Sequence, residues 1–265
     1  MTIRSIVTGT ITAFAFAVFL LFRDAYADEP LCNFSSFHTC SLTDSSAGGP
    51  CVCELSALWP LQGAVGMKEV DYKAAKISKK PEKQCEKFVK KAVNVVVGPG
   101  GRLFVTDHHH GAVAWSKVER ERREPALTGI CEVVNSADEF WRIMTEKRLV
   151  RPYDEKGVKL ASPSNLPHTL DALGDDPYRS LAWLVRENGG FCTEDPHSNS
   201  QKEFLEFQWA DFFREKKVPV ERVQVWDPKE DHDPVVREAV RLAHSPEAAN
   251  LPGYTSAKCQ EVADD

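Results

Sequence analysis

Three consecutive histidines follow an aspartate at residues 107–110, in the order Asp107, His108, His109 and His110. Imidazole and carboxylate groups bind metals and carry protons near neutral pH. A short apolar run before them predicts a strand and an alanine-rich run after them predicts a helix, so Asp107 is a candidate N-cap. A helix N-terminus presents free N–H groups and partial positive charge, which suits phosphate and keeps histidine neutral.

Successive residues of a helix point about 100° apart, so the three histidines cannot all face one pocket. We expect one or two of them to lie in a site and one to be structural. The resulting hypothesis is a catalytic site of Asp107, His108, His109 and His110, in which Asp107, His109 and His110 are the metal ligands. The alternative is that the run only binds metal adventitiously.

The elements around this run are predicted from local patterns. Residues 93–97 and 102–106 are two short strands joined by a Gly-Pro-Gly-Gly turn, which predicts a hairpin. Residues 58–62 contain a proline and predict a short edge strand. Helices are predicted over residues 81–93 and after the capping residues Ser136, Asp176, Ser200 and Asp233. The back half is therefore expected to be mostly helical.

Composition indicates a folded domain with an acidic balance. The chain has 265 residues, of which 42% are hydrophobic, and a formal net charge of −6. That length can bury a sizeable core, and the apolar content excludes a disordered chain. The negative charge does not suit strong nonspecific binding to nucleic acid, although a local basic cleft is compatible with it.

The N-terminus has the order of a signal peptide. Arg4 precedes an apolar run at residues 11–22, which is followed by Ala25-Tyr26-Ala27. The run is shorter than the roughly 20 residues that a membrane span needs, and a signal anchor is the competing interpretation. We therefore expect residues 1–27 to be removed, no stable membrane span afterwards, and a secreted or periplasmic protein.

An even number of cysteines in an exported chain indicates disulfides, although the sequence does not choose their pairing. Four of the eight fall between Cys32 and Cys53, so residues 28–56 are expected to be a disulfide-stapled, loop-rich extension. Zinc binding by the cysteines of this extension and His38 is the alternative, but the spacing fits no common zinc motif well. The eight are Cys32, Cys40, Cys51, Cys53, Cys85, Cys131, Cys192 and Cys259.

Residues 95–114, VVVGPGGRLFVTDHHHGAVA, resemble the signature of the ParB-like nucleases, a branch of the ParB/sulfiredoxin superfamily. Three further segments resemble this family: LWPLQGAVGMKEVDYK at 58–73, DDPYRSLAWLVRENGGF at 175–191 and EFQWADFFR at 206–214. The resemblance covers residues 57–253 and leaves residues 254–265 as a tail. It implies an α/β (α+β) fold with a small, partly open mixed sheet, a hairpin–helix site and a helix-rich C-terminal half.

Within these segments the candidate substrate-binding residues are Gln62, Lys73, Gly111 and Arg179. Arg179 could bind an anion or a neighbouring carboxylate, and carboxylate pairing is the more common role for arginine on a helix. Glu206 and Asp211 lie five residues apart on one predicted helix and do not form an obvious acid pair.

Other members of the superfamily match less well. Sulfiredoxins need a cysteine in this motif and ParB partition proteins an arginine-rich one, and residues 107–110 provide neither. The free-serine kinases carry Asp-Gly-His-His-Arg, but here His108 replaces the glycine and Gly111 the arginine. Gln62 also stands where those kinases use a glutamate, and an amide cannot act as a base.

The leading hypothesis is hydrolysis of phosphodiester bonds at this site, assisted by a divalent metal such as Mg²⁺, Mn²⁺ or Zn²⁺. Its partner would be nucleic acid, or a nucleotide or other phosphate ligand. The first alternative is a phosphotransferase that binds a nucleotide or a phosphometabolite. The second is a secreted binding or effector protein without catalysis.

Overall fold

The computed structural model describes residues 38–39, 50–90, 93–119, 127–130, 134, 136–193, 204–230 and 232–259. The expected signal peptide and most of the cysteine-rich extension lie outside these residues. The described strands are β1 (His38–Thr39), β2 (Pro50–Cys53), β3 (Leu58–Pro60), β4 (Ala64–Val65), β5 (Val95–Val97), β6 (Leu103–Val105), β7 (Leu127–Ile130) and β8 (Gly174–Asp175). The described α-helices are α1 (Met67–Lys79), α2 (Pro81–Lys90), α3 (His109–Glu119), α4 (Ala137–Glu146), α5 (Pro177–Glu187), α6 (Leu205–Glu215) and α7 (Pro234–Ala243).

The strands form three small sheets. One has the order β3-β6-β5, with β3 parallel and β5 antiparallel to β6. The second has the order β1-β2-β7, and β4 pairs in parallel with β8 to form the third. The predicted hairpin is confirmed as β5–β6, and β3 is an edge strand as expected. The fold is mixed α/β, in agreement with the expected class.

Side chains of the β3-β6-β5 sheet alternate between two cores, as the period of two in a strand requires. Val95, Val97 and Val105 face one core, which α1 and α3 cover. Val96 and Phe104 face the opposite core, where Phe140 of α4 packs on them. The sheet is therefore covered on both faces, and the end of β6 leads directly into the histidine run.

The helices of the C-terminal half enclose a third core. α5, α6 and α7 pack around Trp209, whose ring stacks on Phe191 at 4.4 Å between centroids. A disulfide between Cys192 and Cys259 closes this region. The predicted helical back half is confirmed.

Three of the predicted helix caps are confirmed. Ser136, Asp176 and Asp233 accept hydrogen bonds from the first-turn amides of α4, α5 and α7. The prediction for Asp107 is wrong: α3 begins at His109, and the Asp107 carboxylate accepts instead from the amide of His108, whose φ is 62°. Ser200 lies outside the described residues, and α6 begins at Leu205.

The cysteines do not all form disulfides. Cys53 is free and buried in β2, where burial raises the pKa of its thiol to about 12. The expectation that every cysteine is paired is therefore wrong for Cys53, which is packed as an apolar side chain. None of the helices in the described part of the chain is long and apolar enough to span a bilayer.

Candidate functional site

A cavity of about 820 Å³ opens between α1, α3, α5 and α6. All eight residues that the sequence proposed for catalysis or substrate binding line it. The prediction that the three histidines cannot all face one pocket is therefore wrong, because His108 precedes the helix with a positive φ. The lining also holds more cationic than anionic side chains. The cations are Lys73, Lys76, Lys87, Arg148, Arg179 and Arg186, and the anions are Glu69, Asp107 and Glu206.

His109 and His110, the two inner histidines, are buried in the pocket floor. Each accepts a hydrogen bond from a backbone amide. Nε2 of His109 accepts the amide of Leu61 at 3.2 Å, and Nε2 of His110 accepts the amide of Gly66 at 3.0 Å. Burial, reinforced by nearby positive charge, lowers the pKa of His109 to about 3 and lowers that of His110 well below its usual value. Both rings are therefore neutral near pH 7.

Glu69 is the most deeply buried acid of the pocket, with 1% of the residue exposed. Its Oε1 pairs with Nζ of Lys73, one turn further along α1, at 2.5 Å. Its Oε2 lies 3.3 Å from Nε2 of His110 and has no hydrogen-bond partner among the described residues. Burial raises the pKa of this carboxyl above its ordinary value, against the opposing effect of the Lys73 ammonium.

Glu206, in the first turn of α6, is the second acid of the floor. Arg186 pairs with its Oε1, and Nη2 of Arg179 lies 3.4 Å from its Oε2. Burial alone would raise the pKa of Glu206, but its cationic neighbours, Arg186 foremost, lower it to about 2. The carboxyl of Glu206 is therefore ionised in the folded protein near neutral pH.

Arg179 of α5 is 3% exposed, and its guanidinium lies over the ring of Phe207 at 3.6 Å. Its Nε and Nη1 have no hydrogen-bond partner among the described residues. The guanidinium of Arg179 has five N–H groups, and its Nη2 lies near the carboxylate of Glu206.

Three side chains bring potential metal-ligand atoms together. Ligand atoms of Glu69, His110 and Glu206 all lie within 4.8 Å of one another, so this group could hold a metal ion. The set shares only His110 with the one that the sequence proposed. Nε2 of His109 is occupied by the Leu61 amide, and the Asp107 carboxylate is exposed and bound to the His108 amide.

The remaining candidates have separate positions in the pocket. Asp107 and His108 are exposed, and Asp107 Oδ2 lies 3.9 Å from His108 Nε2. Gln62 is buried, and its side-chain amide donates to the carbonyl of Ala64 at 2.9 Å. Gly111 lies in the first turn of α3, and a Cβ there would meet no atom within 4 Å.

The sequence did not single out Glu69, Arg186 or Glu206. Glu206 was considered only as a partner of Asp211, which instead pairs with Arg151 and Arg214. The one local signal for Glu69 was its spacing of four residues from Lys73, which is a common surface pattern on helices. The convergence of Glu69 and Glu206 on His110 depends on the packing of α1, α3 and α6 and is not visible in the sequence.

The fold and pocket define a mixed α/β protein whose pocket combines a buried cluster of acids and histidine with an excess of cationic side chains. Comparison with known proteins identifies its family. The family described as "Putative ParB-like nuclease" matches residues 51–215, which is more than half of the chain, and the chain belongs to this family. The match includes the whole pocket floor.

The chain is similar to solved structures, and one of these is protein Atu1540 from Agrobacterium tumefaciens. That protein is 30% identical and superposes with a TM-score of 0.59, covering 78% of this chain and 98% of that one. This likeness agrees with the mixed α/β architecture. No curated protein matches the chain.

Proposed function

We propose that the pocket is the active site of a phosphodiesterase that acts on nucleic acid or nucleotides, as the family's name indicates. The observation that carries this proposal is the convergence of Glu69, His110 and Glu206 beside the buried guanidinium of Arg179. Acids and an imidazole can move protons and hold a cation, while a guanidinium can hold a phosphate.

Of the atoms that could bind a divalent metal, one is available and another already accepts a hydrogen bond. Oε2 of Glu69 is buried without a hydrogen-bond partner among the described residues, so it is available as a ligand. Nε2 of His110 already accepts the Gly66 amide, which a metal at this atom would displace. A bound divalent ion would supply polarisation of the phosphate and a lower pKa for a bound water.

The other groups have roles that do not depend on a metal. Arg179 would orient the phosphate through its unpartnered nitrogens. Glu69, whose pKa is raised, would carry the proton of the attacking water or of the leaving oxygen. His109 would position the floor through Leu61, and Asp107 and His108 would contact substrate at the exposed rim.

The test is cleavage of plasmid and single-stranded DNA with Mg²⁺, Mn²⁺, Zn²⁺ or chelator. Glu69→Gln and Glu206→Gln preserve shape but remove a charge. Glu69→Gln should lower the rate by roughly 100-fold or more, as loss of a general acid–base group does. Glu206→Gln should also lower the rate, because the cluster loses an ionised carboxylate that could hold a cation. Glu146→Gln is the control, because Glu146 is exposed on α4 and pairs with Arg142 on its own helix. Wild-type cleavage rates in both pocket variants would overturn the site assignment.

A second candidate, phosphoryl transfer from a nucleotide, is favoured by the cavity itself. A volume of about 820 Å³ lies in the range of small-molecule sites, and the net charge of −6 does not favour long nucleic acids. This reaction predicts a large rise in melting temperature with ATP or ADP and Mg²⁺, together with no DNA cleavage. Cleavage without a nucleotide effect would exclude it.

We also propose that the protein is exported after removal of residues 1–27. The disulfide between Cys192 and Cys259 supports this, because such bonds persist in oxidising compartments. Mass spectrometry of the protein from culture medium or periplasm should give an N-terminus at Asp28. An intact N-terminus in the cytoplasm would contradict export.

A further inference from the structure

The cavity extends along α1 well beyond the floor that holds Glu69. Lys76, in the last turn of α1, lines it at the other end of the helix, together with Lys87 of α2. At 1.5 Å of rise per residue, Glu69 and Lys76 are separated by roughly 10 Å along the helix axis. Successive phosphates on one strand of B-DNA are about 3.4 Å apart along its axis, so the cavity has room for more than one phosphate of a strand.

The far end of the cavity, at Lys76 and Lys87, is cationic. Neither lysine pairs with a carboxylate among the described residues, and Lys76 lies 4.5 Å from the centre of the Tyr72 ring, which does not neutralise its charge. The acids of the floor, by contrast, are already paired with cations of the floor. The far end can therefore attract a second anionic group while the floor holds the first.

The segment that forms this end is basic as a whole. Residues 67–90, which span α1 and α2, contain eight lysines and four acids within a chain whose net charge is −6. The positive charge is thus concentrated on the side of the molecule where the cavity opens, and this local concentration offsets the overall charge for a polyanion that enters there.

The cavity also presents an aromatic ring, that of Phe204, two residues before Glu206. Phe204 is partly exposed, and its φ of 60° is a conformation that bulky residues rarely adopt. Such backbone conformations are concentrated at ligand sites. Sites for single-stranded nucleic acid combine a cationic groove for the backbone with aromatic rings on which bases stack. Phe204 and the two lysines supply both parts.

The burial of the floor distinguishes single strands from duplexes. Glu69 is 1% exposed at the bottom of a cavity of about 820 Å³. A double helix is a stiff rod with its phosphates on the outside, so it cannot bring one of them to a buried floor. A single strand is flexible enough to bend into the cavity.

We propose that the cavity binds a single strand of nucleic acid over more than one nucleotide. One phosphate lies on the floor, a flanking phosphate contacts Lys76 and Lys87, and a base stacks on Phe204. The inference rests on the proposed function and deepens it, because it names a single-stranded polynucleotide, and neither a mononucleotide nor a duplex, as the substrate class.

The experiment is a fluorescence-anisotropy titration of the full mature protein with a labelled thymidine oligonucleotide of about ten residues, in chelator. Thymidine monophosphate, ATP and a duplex of the same length are the competitors. The single strand should bind roughly 10-fold or more tightly than each of them, because only the strand reaches both ends of the cavity and stacks. A duplex or ATP that binds as tightly as the single strand overturns the inference.

The lysines are tested with a matched pair of double variants. Lys76→Gln with Lys87→Gln removes two charges from the cavity, whereas Lys79→Gln with Lys83→Gln removes two exposed charges from the same helices outside it. The first pair should weaken strand binding and reduce the slope of log affinity against log salt by about 1.4, or about 0.7 for each lost phosphate contact. Equal losses in the two pairs would assign binding to overall charge and contradict the proposed path.

The aromatic contact is tested by Phe204→Leu, which retains an apolar side chain but removes the ring. Strand binding should weaken at least about 5-fold, the lower end of the cost of losing one stack between a base and an aromatic ring. Competition by inorganic polyphosphate, which has no bases, should be the same in this variant and the wild type. An unchanged affinity for the strand would exclude Phe204 from the site.

The result is separable from the cleavage assay. Strand binding that depends on Lys76 and Lys87, with no cleavage under any metal, would support the strand site and contradict the phosphodiesterase. Cleavage that is lost in Glu69→Gln, with no preference for single strands over the duplex in binding, would support the phosphodiesterase and contradict the strand site.

Discussion

His109 and His110 use the same ring atom, Nε2, as an acceptor for a backbone amide. The amides belong to Leu61 and Gly66, at the two ends of the segment between β3 and α1. An imidazole can accept at Nε2 only while that atom is unprotonated. The neutral state of both rings is therefore part of what holds α1, and with it Glu69, in position.

Acidification should destabilise the protein through these histidines. The pKa of His109 is about 3 when folded and about 6.5 when unfolded, so its contribution to stability is complete above pH 6.5 and falls as pH decreases toward 3. The slope approaches roughly 1.4 kcal/mol per pH unit for one such group. Urea unfolding in chelator at pH 7 and pH 5 measures it.

The variant His109→Gln isolates this contribution. Glutamine can still accept the Leu61 amide but does not titrate, so its free energy of unfolding should fall less between pH 7 and pH 5 than that of the wild type. An identical decrease in both proteins would show that His109 does not control the acid sensitivity.

At this scale the sequence predicted the neutral histidines and their position after a strand. It did not predict which histidine would face the acids. A helix start fixes the direction of a side chain only when the first residue of the helix is known. Here α3 starts two residues after Asp107, because His108 takes a positive φ.

The helices α1 and α5, which carry Glu69 and Arg179, are held together at their N-termini. β4 and β8 lie parallel, and each leads into a helix, α1 and α5. The first turn of α1 has no side-chain cap of its own and is capped by its neighbours: the Met67 amide donates to Asp175 and the Lys68 amide to Ser180. The starts of α1 and α5 therefore fix each other, and with them Glu69 and Arg179.

Gly66→Ala should separate these two helices. A Cβ at residue 66 would lie 2.6 Å from the backbone nitrogen of Ser180, which cannot move without shifting α5. We expect a loss of about 1–3 kcal/mol in the free energy of unfolding, the usual cost of overpacking, and loss of pocket function. Chemical denaturation of the purified variant measures the first.

Gly111→Ala is the matched control, since it is also a helix-start glycine of the pocket but faces open space. It should leave stability unchanged or raise it by up to about 1 kcal/mol, because alanine favours a helix over glycine. Equal destabilisation by both substitutions would contradict the close approach of α1 and α5 as the cause.

The predictable elements were those with local signals. The β5–β6 hairpin follows from its glycine-rich turn, and Asp176 and Asp233 cap the helices that follow them. The β4–β8 pair has no such signal, because two-residue strands that are more than 100 residues apart show no periodicity.

Across the whole molecule, the site lies where separate cores meet. Glu69 and His110 belong to helices that cover the sheet, whereas Arg179 and Glu206 belong to helices around Trp209. The bond between Cys192 and Cys259 links two segments of the core around Trp209 across a sequence separation of 67 residues. Stability of that core should therefore control the positions of Arg179 and Glu206.

Replacing both cysteines of this bond with alanine should lower the free energy of unfolding by about 2–4 kcal/mol, because the unfolded chain regains the freedom of the closed loop. Lys258→Ser is the control, as an exposed neighbour of Cys259, and should change stability by no more than about 0.5 kcal/mol. Thermal and urea unfolding measure both. Equal stability of the double variant and the wild type would show that packing alone holds this region.

The four residues of the site lie far apart in the sequence, so they are synthesised at different times. A ribosome makes Glu69 and His110 first, Arg179 later, and Glu206 only when three quarters of the chain exists. A nascent chain interrupted before α6 therefore lacks Glu206, and its pocket remains incomplete. All four residues are present only near the end of synthesis, so truncated chains would lack part of the site.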